Sequence, residues 1–90
     1  MITWDEPKRL ENLRKHGIDL ADGEVLFDAP LVTSEDNRAA YGEQRLQSLG
    51  LFYGVIVFLV WVDRPAAPHL ISIRKATRHE ERRYWQTVRH

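Results

Sequence analysis

The chain has 90 residues, 43 % hydrophobic and 29 % charged. That is the size and make-up of one globular domain spanning 1–90, of the kind that buries about 60–65 % of its unfolded surface around a small core. With no cysteine, a disulfide framework and a thiolate metal site are excluded, and the longest apolar run, VIVFLVWV at 55–62, is eight residues against the roughly 20 a membrane helix needs. Thirteen basic side chains balance thirteen acidic ones, but residues 74–90 hold six Arg or Lys against two Glu, a net of +4 that residues 1–73 offset with −4. Seven acids between 19 and 43 face only Arg38, so the pattern is a basic working face on an acidic body. Asp5 and Glu6 stand where a leader would be basic and then apolar, so a cytoplasmic protein is expected.

In chain order, ITW (2–4) reads as a short strand. Asp5 can cap the helix that follows, with Pro7 tolerated in its first turn, and Gly17 suits a left-handed C-terminal cap. Leu10 and Leu13 give that helix an apolar stripe, and Lys8, Arg9, Glu11, Asn12, Arg14 and Lys15 cover the remainder. Asp19 offers a second N-cap, with Leu20, Val25, Leu26 and Phe27 as core candidates to about residue 28, although Gly23 weakens that helix by roughly 1 kcal/mol relative to alanine. Pro30 ends the helical part. LVTS (31–34) is a strand and EDNR (35–38) has turn chemistry. EQRLQSLGLF (43–52) alternates imperfectly, and its Gly50 marks a bulge or a close backbone approach. Tyr53-Gly54 is a turn, and VIVFLVWV is a central strand buried on both faces. In HLISIRK (69–75) strict alternation puts Leu70, Ser72 and Arg74 on one face and Ile71, Ile73 and Lys75 on the other. TRHE (77–80) is a capping box opening the last helix.

The order β-α-α-β-β-β-β-α implies an α+β fold, a curved and largely antiparallel sheet packed on two N-terminal helices, with a C-terminal helix to close.

Candidate chemistry gathers where the last strand meets the last helix. Backbone N–H groups and the positive helix end attract anions there, Arg74 and Arg78 add planar forks for phosphate oxygens, and Lys75 adds a compact charge. Arg82 follows Arg78 by one helical turn. Tyr84 and Trp85 serve as core or as a stacking surface. Arg45 lies in a strand, where it is either a rim ion pair or a ligand contact. His16 either transfers protons or complements the helix dipole, His69 reads as a strand-edge residue, and His79 and His90 as solvent-facing. No HExxH, Gly-rich phosphate loop or Gly-x-Ser-x-Gly is present, and the acids of 19–43 are scattered, so no metal and no cofactor are expected.

These residues describe a binder of phosphodiester, RNA in particular. Metal-free RNA cleavage proceeds by attack of the 2′-hydroxyl on the adjacent phosphorus, and it needs a base, an acid and cations to hold the phosphorane charge. Arginine and lysine fill the last role; His16, Glu81 and Tyr84 are the candidates for the first two.

WDEPKRLENLRKHGIDL (4–20), YGEQRLQSLG (41–50) and ISIRKATRHEERRYW (71–85) together resemble the BrnT family, small ribonuclease toxins of type II toxin–antitoxin systems with a RelE-like fold. The likeness runs over nearly the whole chain. The ordered combination WD-x-x-K, K-H-G, YGE-x-R and S-x-R-x-A-x-x-x-E carries it. Matching positions are Trp4, Asp5, Lys8, Asn12, Lys15, His16 and Gly17, then Tyr41, Gly42, Glu43 and Arg45, then Arg74, Ala76, Arg78, Glu81 and Tyr84. The resemblance implies Arg45, Arg74, Lys75 and Arg78 as the reacting cations, with Lys8, Lys15 and Arg82 as further RNA contacts. It departs at His69, where the family usually has arginine, so one phosphate contact is either lost or replaced by the imidazole. It departs again at Trp61, Val62, Asp63 and Arg64, where the family tends to have Tyr-Thr-Glu-Arg. A BrnA-type antitoxin is the implied partner, forming a heterotetramer, contacting operator DNA only through the antitoxin, and covering Arg45, Arg74 and Arg78. The alternative is a non-catalytic relative that only binds antitoxin and regulates its operon.

Overall fold

A computed structural model describes residues 1–36 and 42–88. Its elements are β1 (Thr3–Trp4), α1 (Glu6–His16), a 3₁₀ helix (Leu20–Asp28), β2 (Val32–Asp36), β3 (Arg45–Phe52), β4 (Val55–Asp63), β5 (Pro68–Lys75) and α2 (Arg78–Val88). The α+β order matches the expectation, with one change: the second N-terminal helix is 3₁₀. Asp19 still caps it, accepting from the Ala21 N–H.

The five strands lie in the order β1-β5-β4-β3-β2. All neighbours are antiparallel except β1 and β5, which pair in parallel through Thr3–His69 and Trp4–Leu70. The apolar run 55–62 forms most of β4, at the sheet's centre, as its lack of polar alternation requires. Tyr53 and Gly54 turn β3 into β4 with φ of 48° and 82°. Two positive angles define the type I′ hairpin, which suits the strand twist and makes glycine useful at the second position.

The two faces carry separate cores. Leu20 and Leu26 of the 3₁₀ helix pack with Ile18, Val57, Leu59, Trp61, Leu70 and Ile73. On the other face Tyr84 of α2 packs with Leu49 and Ile56. Gly50 resolves as the close approach: pairing with β4 runs unbroken past it, and a Cβ there would stand 2.7 Å from Leu31 Cδ2. The bulge falls in β5 instead. Leu70 stands opposite Trp61 and Ser72 opposite Val60, leaving Ile71 as the extra residue. Strict alternation is therefore broken, and Leu70 and Ile73 reach the same core.

α1 also departs from its pattern. Leu10 and Leu13 are 54 % and 42 % exposed, and the one buried residue of the helix is Asn12. β1 pairs with only two residues of β5, so the backbone beyond needs a partner. Asn12 supplies it: Oδ1 accepts from the Ile73 N–H at 3.0 Å, and Nδ2 donates to Ile73 O and to Ile18 O, both at 2.9 Å. Its side-chain amide continues the sheet edge where β1 stops. Gly17 ends the helix in the left-handed conformation with φ of 69°, as expected. Asp5 occupies the N-cap position, but its side chain makes no capping bond. Among the described residues no helix is long and apolar enough to cross a membrane.

Candidate functional site

The strand–helix junction forms as the sequence suggests, but its chemistry is internal. Thr77 and Glu80 close the capping box, Thr77 N–H to Glu80 Oε1 at 2.9 Å and Glu80 N–H to Thr77 Oγ1 at 3.2 Å. The same carboxylate then receives both arms of Arg74, at 2.9 and 3.0 Å. Arg74 also lies over the Phe58 ring, 4.2 Å from its centroid. The Arg74 hydrogen bonds hold the Glu80 carboxyl well below the usual range, at about 2, and Glu80 in turn raises the guanidinium of Arg74. Arg74 as a free phosphate fork is thus corrected: the bidentate pair occupies both arms. Tyr84 resolves as core, 2 % exposed, its hydroxyl donating to Pro30 O at 2.9 Å and its pKa raised by burial. As a proton-transfer candidate it has no open face. Lys75 and Arg78 are exposed. Glu81 and Arg82 line a shallow surface hollow with Trp85 and Gln86.

Arg45 does not join them. β3 and β5 each run antiparallel to β4, hence parallel to one another. Arg45 begins β3 and Arg74 nearly ends β5, so they stand at opposite ends of the sheet. Arg74 is level with Phe58 and Leu49, whereas Arg45 is one step before the Leu46–Trp61 pair, four residues away along β4. At about 3.3 Å per residue that is roughly 13 Å along the strands.

At Arg45's end a different constellation assembles. β3 and β5 begin there and β4 ends. A hollow of about 150 Å³ is lined by Asp5, Lys8, Glu43, Arg45, Val62, Arg64, His69 and Ile71. It shares Lys8 and Ile71 with a second hollow of about 400 Å³ along α1, which adds Lys15, His16 and Ser72 among others. Together they make one groove between the first helix and the sheet. Lys8, Lys15, His16 and Arg45, chosen from sequence, all lie in it.

Arg64 and Glu43 form a bidentate pair at 2.8 Å, which lowers the Glu43 pKa and raises that of Arg64. His69 is 5 % exposed, with Nδ1 2.7 Å from Thr3 Oγ1 and Nε2 3.7 Å from Asp5 Oδ2. Asp5 turns to this histidine instead of capping α1. Arg9 braces the helix from behind through Glu6 and Asp19, and the Glu6 hydrogen bond raises its pKa.

Arg64 is a groove residue that has no role in the sequence reading, and His69, read there as a strand-edge residue or a substitute phosphate contact, lies buried against the same hollow. What buries His69 is its contact with Thr3, 66 residues away on β1, which chain-local patterning does not report. Among the described residues no group of three His, Cys, Asp or Glu side chains is arranged to hold a metal ion. Tyr41 of the second motif, with Arg38, Arg89 and His90, lies outside the described residues.

This α+β fold has known counterparts. The family model "Ribonuclease toxin, BrnT, of type II toxin-antitoxin system" matches residues 4–80, and the chain belongs to that family. Among solved structures it is similar to the 1.1 Å crystal structure of the Brucella abortus ribonuclease toxin, BrnT. Identity is 33 % and the TM-score 0.63, over 86 % of this chain and 96 % of the other. No curated protein matches.

Proposed function

We propose that this chain is an endoribonuclease that cleaves RNA by metal-free attack of the 2′-hydroxyl, in the groove between α1 and the sheet. The observation that carries this is that Lys8, Lys15, His16 and Arg45, from two separate sequence motifs, line two adjoining hollows, Arg45 the first, Lys15 and His16 the second, and Lys8 both. A phosphodiester in the hollow meets the Arg45 fork and the Lys8 ammonium, which stabilise the dianionic phosphorane. Lys15 and His16 take the next phosphate along α1. Lys75, Arg78 and Arg82 contact flanking RNA from the α2 side, with Glu81 beside them, and Arg74 orients that edge through Glu80. Asp5 and Glu11 offset part of the groove's charge, which suits an enzyme that must release its product.

We infer that the wider setting is that of the family: a cytoplasmic toxin of RelE-like fold acting as one domain, arresting translation and growth, neutralised by a BrnA-type antitoxin in a heterotetramer, and contacting operator DNA only through that antitoxin. Exposed Leu10, Leu13 and Trp85 offer apolar anchors for such a partner. The Arg74–Glu80 pair favours a second reading, a relative that only binds antitoxin, since it withdraws one expected cation.

The deciding experiment incubates the purified protein with a defined RNA in EDTA and identifies the ends. Fragments ending in a 2′,3′-cyclic phosphate are expected. Strict dependence on magnesium overturns the metal-free step. Intact RNA together with normal growth at high expression supports the second reading.

A further inference from the structure

We propose that His69 is the proton-transfer residue of the groove, a role that rests on the ribonuclease reading above. The imidazole is anchored on one side and presented on the other. Nδ1 meets Thr3 Oγ1 at 2.7 Å across the β1–β5 pairing, which fixes the ring to the sheet. Nε2 is on the side of Asp5, whose carboxylate stands 3.7 Å away, and both residues line the same hollow as Lys8, Arg45 and Arg64. A buried histidine with one nitrogen held and the other beside a carboxylate that lines the same hollow is the arrangement a positioned base requires. His16, at the exposed end of α1, has no such anchor among the described residues.

The threonine hydroxyl accepts from Nδ1–H in the reactive tautomer, which leaves the Nε2 lone pair free. The 2′-hydroxyl proton passes to Nε2 as the 2′-oxygen forms its bond to phosphorus. The P–O5′ bond breaks with its electron pair on the 5′-oxygen. That oxygen takes a proton from a solvent water, and the imidazolium returns its own proton to the resulting hydroxide. Asp5 faces the imidazolium during the step, Arg45 and Lys8 face the phosphate, and the Glu43–Arg64 pair closes the rim.

The test uses the intact protein and a short RNA, with its 2′-O-methyl analogue as the binding probe. His69→Asn keeps a donor near the Nδ1 position for Thr3 but has nothing at Nε2. It is expected to lower kcat by about 10²–10⁴-fold. It should also abolish the limb of the pH–rate profile on which rate rises as the base loses its proton, while leaving affinity for the analogue within twofold. Thr3→Val, which only frees the ring, should reduce kcat by about tenfold and keep that limb. Wild-type kcat with an unchanged pH profile in folded His69→Asn, alongside loss of cleavage in Arg45→Ala, overturns the role of His69 and leaves the ribonuclease reading standing. A wild-type protein that cleaves no RNA overturns both.

Discussion

Asn12 gives the sharpest stability test because its work is countable. Its side chain pairs with the Ile73 N–H, Ile73 O and Ile18 O, and the residue is 4 % exposed. Asn12→Ala leaves one buried donor and two buried acceptors without partners. Each unmet group costs about 1–3 kcal/mol, less where water can follow the cavity in from the edge, so the expected loss is about 3–4 kcal/mol. A chain of this length has only about 5–13 kcal/mol in all, at about 0.05–0.15 kcal/mol per residue. With a urea m-value of about 1–2 kcal/mol/M, the midpoint should fall by about 1.5–4 M. Leu10→Ala on the same helix, from an exposed apolar position, should stay within about 0.5 kcal/mol. Urea melts of both variants, followed by tryptophan fluorescence, make the comparison. If Asn12→Ala melts like the wild type, or Leu10→Ala costs as much, then α1 docks through its leucines and the edge-pairing account is wrong.

Other expectations follow from particular contacts. Glu80, held at about 2 against the usual 4.5 by the Arg74 hydrogen bonds, contributes stability that is full above pH 4.5 and is lost as pH falls from 4.5 towards 2. The undiscounted linkage is about 3 kcal/mol; solvent screening of the partly exposed Arg74 brings it to about 1–2 kcal/mol. Glu80→Gln should therefore melt below wild type at pH 7 and converge with it near pH 2, as read by thermal melts across that range. Gly50→Ala drives a methyl against Leu31 and Leu26 and should cost about 1–3 kcal/mol in the same urea assay, whereas an unstrained site would gain slightly.

Sequence patterning read the parts whose signals are local. Gly17, the Tyr53-Gly54 turn, the apolar run of β4 and the Thr77–Glu80 box all act within a few residues of themselves. What it missed depends on partners far along the chain. Asn12 looked like a solvent-facing amide because its partners, Ile73 and Ile18, lie on other elements. The bulge at Ile71 is a property of the β4–β5 pairing and not of β5 alone. At the junction the capping box was legible, but the carboxylate that caps the helix also draws in Arg74, six residues earlier. The cations that the sequence reading gathers at one point therefore stand at two ends of the sheet. The parallel run of β3 and β5 puts Arg45 at the far end, where Lys8 joins it.

Which end of the sheet holds the reacting phosphate can be measured directly. Arg45→Ala and Arg74→Ala are compared for cleavage of one defined RNA, each checked for a folded far-ultraviolet circular dichroism spectrum. Arg45→Ala should lose about 10²-fold or more in kcat/KM, as removal of a charge-stabilising donor does, while Arg74→Ala stays within a few-fold of wild type. The opposite result, an inert Arg74→Ala beside a fully active Arg45→Ala, would return the chemistry to the strand–helix junction and contradict the groove.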